Sequence, residues 1–154
     1  MDISQNGLKF IKDHEGCVLH PYNDAAGYAT IGIGRLIAKR PVNEADKKQY
    51  AVFTETDALN LLHTDVSQFV QGVNTLVTNK DINQNQFDAM VSLAFNVGMG
   101  NFANSSVLRF TNTKQYDKAS AAFLLWNKAG GKVLAGLTKR RQDEANLYLT
   151  KALV

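Results

Sequence analysis

The residues best suited to chemistry in this 154-residue chain are Glu15, Asp24 and Thr30. Two carboxylates facing each other across a bond, one protonated and one ionised, are what acid–base cleavage of a glycosidic bond requires. Opposite ionisation at one pH demands different surroundings. Asp24 lies in Asn23-Asp24-Ala25-Ala26-Gly27, which reads as a solvated turn that keeps a carboxyl ionised. Glu15 precedes Gly16, the expected stop of a helix. The negative end of the helix dipole, helped by burial, would favour the protonated form there. Thr30 falls in a Gly-rich strand. Three polar groups on adjoining short elements can converge on one cleft. The same spacing also fits a plainer reading: a helix-end surface carboxylate, a turn former and a strand residue.

The elements that would position these groups follow from periodicity and caps. Ile3, Leu8 and Ile11 mark one side of a short helix, with Ser4 as its cap. Pro21, Gly27, Gly32 and Gly34 punctuate a stretch holding Tyr22, Tyr28, Thr30, Ile31 and Ile33, which predicts short strands and tight turns. A polar loop is expected from Lys39 to about Phe53. Thr54 with Asp57 then opens a long helix. Its apolar positions Ala58, Leu61, Leu62, Val66, Phe69, Val70, Val73, Leu76 and Val77 keep the helical period. Rising about 1.5 Å per residue, it would join a β-containing lobe to a helical one.

Asn83 with Gln86 predicts a second capping box, before a helix that buries Phe87, Met90, Val91, Ala94 and Phe95 and ends at Gly98 and Gly100. A shorter helix is expected at about Ser106 to Phe110. Another runs from about Gln115 to Asn127, carries Ala119, Ala122, Phe123 and Trp126, and stops before Gly130-Gly131. Thr138 opens the last, which continues through Leu147 and Leu149. The predicted class is α+β, mostly helical with a small antiparallel sheet near the N-terminus. A single domain is expected over 1–154, with a small β-containing lobe at about 15–60 and a helical lobe at about 1–14 and 70–154.

Composition narrows the class. Hydrophobic residues make up 45% and charged residues 20%, which fits a globular chain rather than a disordered one. The lone Cys17 cannot form an internal disulfide. His14 and His20 flank it, yet no second Cys or paired-His motif supports a metal site, and no metal or cofactor is expected. The start, MDISQNGLKFIKDHEG, lacks a basic segment followed by an apolar run, so a cytoplasmic location is expected. Net charge is +3, unevenly spread. Residues 1–104 hold eight basic and eleven acidic side chains, residues 105–154 nine and three. A basic C-terminal part can attract any polyanion, nucleic acid, anionic lipid or cell wall.

Three ordered blocks carry a resemblance. Glu15-Gly16, Tyr22-Asn23-Asp24 and Gly27-Tyr28-Ala29-Thr30-Ile31-Gly32-Ile33-Gly34 resemble the catalytic region of T4-type phage lysozymes, glycoside hydrolase family 24. Gln86-Phe87-Asp88-Ala89-Met90-Val91-Ser92-Leu93-Ala94-Phe95-Asn96-Val97-Gly98 is similar to the central helix of lambdoid phage endolysins. Leu125-Trp126-Asn127-Lys128-Ala129-Gly130-Gly131-Lys132-Val133-Leu134, with Gly136-Leu137 and Arg140-Arg141, is similar to their C-terminal signature. The likeness spans about residues 8–150.

The resemblance implies a lysozyme-like fold and hydrolysis of the β-1,4 bond between N-acetylmuramic acid and N-acetylglucosamine in peptidoglycan, ending in host lysis. It implies that Glu15 is the acid, while Asp24 and Thr30 hold a water on the opposite face of the sugar, an inverting course. It also implies an arginine near the acid, for which Arg140 and Arg141 are both candidates. Such an arginine would oppose the effect of burial on Glu15. One departure stands out: Arg35 occupies a position where the family commonly has His, so any local salt bridge must be arranged differently.

Further substrate contacts are expected at Tyr28, Gly32, Asn96 and Asn101, beside Arg140 and Arg141. Each has a structural counterpart: sheet packing for Tyr28, a bulge or close packing for Gly32, capping for the two asparagines. Trp126 is expected in the core. The implied partner is peptidoglycan glycan strands, met by a monomer released from the host cytoplasm through a holin-type lesion. The basic C-terminal part is a candidate for electrostatic contact with the anionic envelope. Three other functions compete: a non-catalytic wall-binding module, membrane disruption by the basic helices, and nucleic-acid binding. The last is disfavoured, because Gly and aliphatic residues interrupt the basic stretch and no nucleic-acid-binding motif is present.

Overall fold

The computed structural model describes residues 1–151. They divide into two compact units: Leu8–Asp65, and Met1–Gly7 together with the chain from Val66 onward. The division falls inside two helices, α1 (Gln5–Glu15) and α3 (Glu55–Leu76).

α1 begins where sequence places it, because the Ser4 hydroxyl accepts from the Gly7 N–H at 3.0 Å. It ends at Gly16, whose N–H returns to the Lys12 carbonyl at 2.8 Å. Leu8 and Ile11 are buried. Three antiparallel strands follow in the order β1 (Val18–Asn23), β2 (Ala29–Gly32), β3 (Arg35–Ala38). Tyr22 pairs with Thr30 and Ile31 with Arg35. β2 is the central strand, and all four of its residues are buried.

The polar loop expected from Lys39 to Phe53 contains a helix, α2 (Glu44–Gln49). Its sequence EADKKQ has no apolar period, which hid it. The signal was local: Asn43 and Asp46 form a reciprocal capping box. The start of α3 matches its cap, with Thr54 and Asp57 exchanging bonds of 2.9 and 3.1 Å.

The second unit is built on α4 (Gln84–Val97), packed against α8 (Ala135–Leu149). The Asn83–Gln86 capping box is present, both bonds at 2.8 Å. Every residue from Gln86 to Ala94 is buried, which makes α4 a core helix rather than an amphipathic surface one.

Several boundaries differ from expectation. Gly98 ends α4, but Gly100 lies inside a further short helix, α5 (Met99–Ala103). α6 (Ser106–Asn112) extends two residues past Phe110 and is capped by Ser105. α7 (Tyr116–Phe123) stops short of Asn127. Trp126 therefore sits in the connection after α7 and is half-buried, not on a helical core face. Gly130-Gly131 do not merely stop a helix. They turn a small hairpin, β4 (Lys128–Ala129) with β5 (Lys132–Val133), with φ of 58° and 79° as a tight two-residue hairpin turn requires. α8 opens at Ala135 and not at Thr138, because the Leu134 carbonyl already accepts the Thr138 N–H at 3.0 Å.

Candidate active site

Within the Leu8–Asp65 unit, Glu15 is the last residue of α1, Asp24 follows β1, and Thr30 lies in β2. Asp24 is held by the turn it starts. Its Oδ1 accepts the Ala26 and Tyr28 N–H groups, both at 2.9 Å, and its own N–H donates to the Tyr28 carbonyl at 3.0 Å. This is an Asx turn closing the β1–β2 hairpin, and it fixes the carboxylate without burying it. Thr30 is 4% exposed, and its hydroxyl donates to the same Tyr28 carbonyl at 2.9 Å. The backbone of Tyr28 thus links Asp24 to Thr30, while its own side chain is exposed.

Glu15 differs from expectation in one respect. It is exposed, so the apolar burial anticipated around its carboxyl is absent. The helix end remains.

Gly32 is buried with φ of 67°, and a Cβ there would meet the Phe53 ring at 3.4 Å and the Ala58 Cβ at 3.5 Å. Close packing and backbone conformation account for this glycine. Arg35, standing where His is usual, pairs with Asp65 of α3. Burial nonetheless pushes the Asp65 carboxyl up, with Arg35 only partly offsetting it. Cys17 is half-buried, and burial pushes its thiol up, away from reactive thiolate.

The remaining expected residues lie in the other unit. Arg140 is 5% exposed and Arg141 0%. Both engage Glu144, itself fully buried. Arg141 Nε lies 2.7 Å from Glu144 Oε1, Arg141 Nη2 donates to Oε2 at 3.2 Å, and Arg140 Nε donates to Oε2 at 3.3 Å. The Ser92 hydroxyl donates to Oε2 at 2.5 Å. Burial drives the Glu144 carboxyl up, opposed by Arg141, Ser92 and Arg140. Both arginines, expected as substrate contacts, are thus held in a buried charge cluster around Glu144.

Asn96 and Asn101 are exposed. They share a groove of about 370 Å³ with Val97, Trp126, Lys128 and Leu137. Trp126, expected in the core on a helical face rather than at a subsite, instead lines this groove. The signal that could have exposed it was Gly130-Gly131, which folds the adjoining Lys128 back in a hairpin.

Comparison with known proteins bears on both units. The phage lysozyme family matches residues 12–144. The endolysin of Bacillus phage B103 is 42% identical over 152 residues, covering 97% of this chain. The chain spans only about half of that relative, 55% of its length. The endolysin of Salmonella phage P22 is 39% identical over 153 residues, covering 97% of this chain and 99% of its own. Among solved structures, the muramidase domain of SpmX from Asticaccaulis excentricus superposes with a TM-score of 0.80 at 35% identity, covering 97% of this chain and 99% of that one. A mostly helical chain with a small antiparallel sheet near its N-terminus is a lysozyme-like fold, and the chain belongs to the phage lysozyme family. No helix among the described residues is long and apolar enough to cross a membrane.

Proposed function

We propose that this chain is a peptidoglycan-hydrolysing lysozyme of host lysis, cutting the β-1,4 bond between N-acetylmuramic acid and N-acetylglucosamine. Glu15 donates a proton to the glycosidic oxygen. Asp24 and Thr30 hold the water that attacks from the opposite face. The observation that carries the reading is the Tyr28 backbone bridge between Asp24 and Thr30.

That bridge supports a specific division of labour. The Thr30 hydroxyl gives its hydrogen to the Tyr28 carbonyl, so toward a water it acts as acceptor. Among the described residues, both hydrogen bonds to the Asp24 carboxylate fall on Oδ1, which leaves Oδ2 to take a proton. A water giving one hydrogen to Thr30 Oγ1 and the other to Asp24 Oδ2 turns its lone pair toward the anomeric carbon. The product is then inverted, with the glycosidic oxygen leaving as a hydroxyl protonated by Glu15.

The reading also takes the two units as the lobes of one lysozyme domain that acts as a monomer, reaches the wall through a holin-type lesion, and meets the anionic envelope with its basic C-terminal part. Product analysis of digested peptidoglycan tests the chemistry. Reducing-end muramic acid is expected, whereas anhydro-muramic acid would assign a lytic transglycosylase. Glu15→Gln keeps the side chain's shape and removes the donor, so hydrolysis should fall by about 10² to 10⁴-fold. A Glu15→Gln protein that clears purified peptidoglycan at the unmodified rate would exclude the mechanism.

A further inference from the structure

The last turn of α1 carries a cation close to its terminal carboxyl. Lys12 and Glu15 stand three residues apart on one helix. That spacing makes side chains neighbours, with Cβ atoms about 5–6 Å apart. Two attractions draw an ammonium at this position toward the helix end: the partial negative charge of the last carbonyls and the carboxylate form of Glu15. A cation beside a carboxyl favours its ionised form, which has no proton to donate. The chemistry assigned to Glu15 needs the other form.

The ammonium is held by a different partner. Lys12 Nζ donates to Glu55 Oε1 at 2.7 Å. Glu55 is the first residue of α3, where the positive end of the helix dipole favours a carboxylate. The Lys12 side chain is 20% exposed and that of Glu55 56%, so the lysine stem is largely covered while the carboxylate stays wet. The bond to Glu55 holds the Lys12 ammonium above the usual lysine range, and the bond from Lys12 holds the Glu55 carboxyl below the usual carboxylate range. Both groups therefore stay charged at neutral pH. The other groups acting on the pair are weaker. Asp13 and Lys9 are exposed, and burial keeps the Cys17 thiol neutral. The Lys12 carbonyl meanwhile accepts the Gly16 N–H at 2.8 Å. One residue thus closes the turn that carries Glu15 while its charge is turned toward α3.

We propose that Glu55 is a positioning residue for the acid: it holds the Lys12 ammonium against α3 and off the Glu15 carboxyl. The proposal rests on the reading of Glu15 as proton donor. Its test is the pH–rate profile of the full chain on purified peptidoglycan, whose alkaline limb reports loss of the donated proton. Glu55→Gln keeps the side chain's size and removes its charge. The freed Lys12 should move the alkaline limb to lower pH by about half a unit, which on that limb is a loss of about threefold in rate.

Two further measurements separate this role from a merely structural one. The double variant Lys12→Met with Glu55→Gln has lost the cation as well, so its alkaline limb should return to the parent's position. Added salt screens exposed charges, so the Glu55→Gln shift should shrink in high salt, whereas a packing change would persist. An unmoved limb in Glu55→Gln would overturn the proposal. So would an equal shift in the double variant, or a shift that salt leaves intact. Glu15→Gln in the same assay scores the underlying reading. Full hydrolysis by that variant removes the acid assignment, while lost hydrolysis together with an unmoved Glu55→Gln limb removes only the role of Glu55.

Discussion

Arg141 and Glu144 form a charge pair at 2.7 Å with neither side chain exposed to solvent. Replacing both by apolar groups can be nearly neutral, whereas removing one partner strands the other charge in the core. Glu144→Gln would remove the buried carboxylate that Arg140 and Arg141 share. The expected loss is about 3–5 kcal/mol, read as a fall in Tm on the order of 10 °C. Thermal melts at neutral pH measure it, and a variant within about 1 kcal/mol of the parent would contradict the assignment.

Asp46 predicts an acid limb in stability. Its carboxyl accepts from Arg40 Nη1 and Nη2 at 2.7 and 3.0 Å and from the Asn43 N–H at 3.0 Å. The Arg40 hydrogen bonds, followed by the Asn43 N–H, hold it down at about 2. The unfolded value is about 3.9. A depressed folded value stabilises above the unfolded one, and that stabilisation is lost as pH falls through the folded one. Urea midpoints measured across pH 4 to 2, roughly this interval, should therefore flatten in Asp46→Asn. An unchanged slope would show that another carboxylate governs the limb.

Thr30 is expected to matter through its hydroxyl and not its shape. Thr30→Val keeps the branched side chain in β2 but removes both the bond to Tyr28 and the acceptor offered to water. Hydrolysis should fall by about 10²-fold, while Thr30→Ser retains most of it. Initial rates on purified peptidoglycan decide the matter; equal activity in Thr30→Val would detach this residue from the chemistry.

Gly7 is helical, so propensity alone predicts that alanine stabilises there by about 1 kcal/mol. The structure predicts the opposite. A Cβ on Gly7 would lie 2.7 Å from Asp88 Cγ and 2.7 Å from Ile3 Cγ1. Asp88 also accepts from the Ser4 N–H at 3.1 Å and from Gln84 Nε2 at 2.8 Å, so it cannot yield without losing them. Gly7→Ala should destabilise by about 1–3 kcal/mol. A raised Tm would refute this close approach.

What could be read before the structure was whatever is encoded within a few residues. Asn83 with Gln86, and Thr54 with Asp57, declare helix starts because donor and acceptor are three positions apart. Leu8 and Ile11 declare a buried face because the helix repeats, whereas Ile3, also buried, lies before the Ser4 cap and outside α1. α2 escaped because its capping box Asn43–Asp46 precedes no apolar run. Trp126 was misplaced because Gly130-Gly131 serves equally as a helix stop and a hairpin turn, and only the pairing of Lys128 with Val133 decides between them. The environment of Glu15 and the burial of Arg140 and Arg141 depend on distant packing, as with Ser92 contacting Glu144 from 52 residues away. The position of Asp24 was legible, but the Tyr28 bridge that fixes it against Thr30 was not.

The grouping of Met1–Gly7 with the chain from Val66 onward has a consequence for the order of events during synthesis. Met1 reaches Asn74 through the bond from Asn74 Nδ2 to its carbonyl at 2.6 Å, and Ser4 reaches Asp88, 84 residues later. The Leu8–Asp65 unit has all its own residues once Asp65 has left the ribosome. Residues 1–7 must wait for their Asn74 and Asp88 contacts while some eighty more residues are made. Closing so long a loop is entropically slow. Residues 1–7 thus gain their packing only from chain made some eighty residues later.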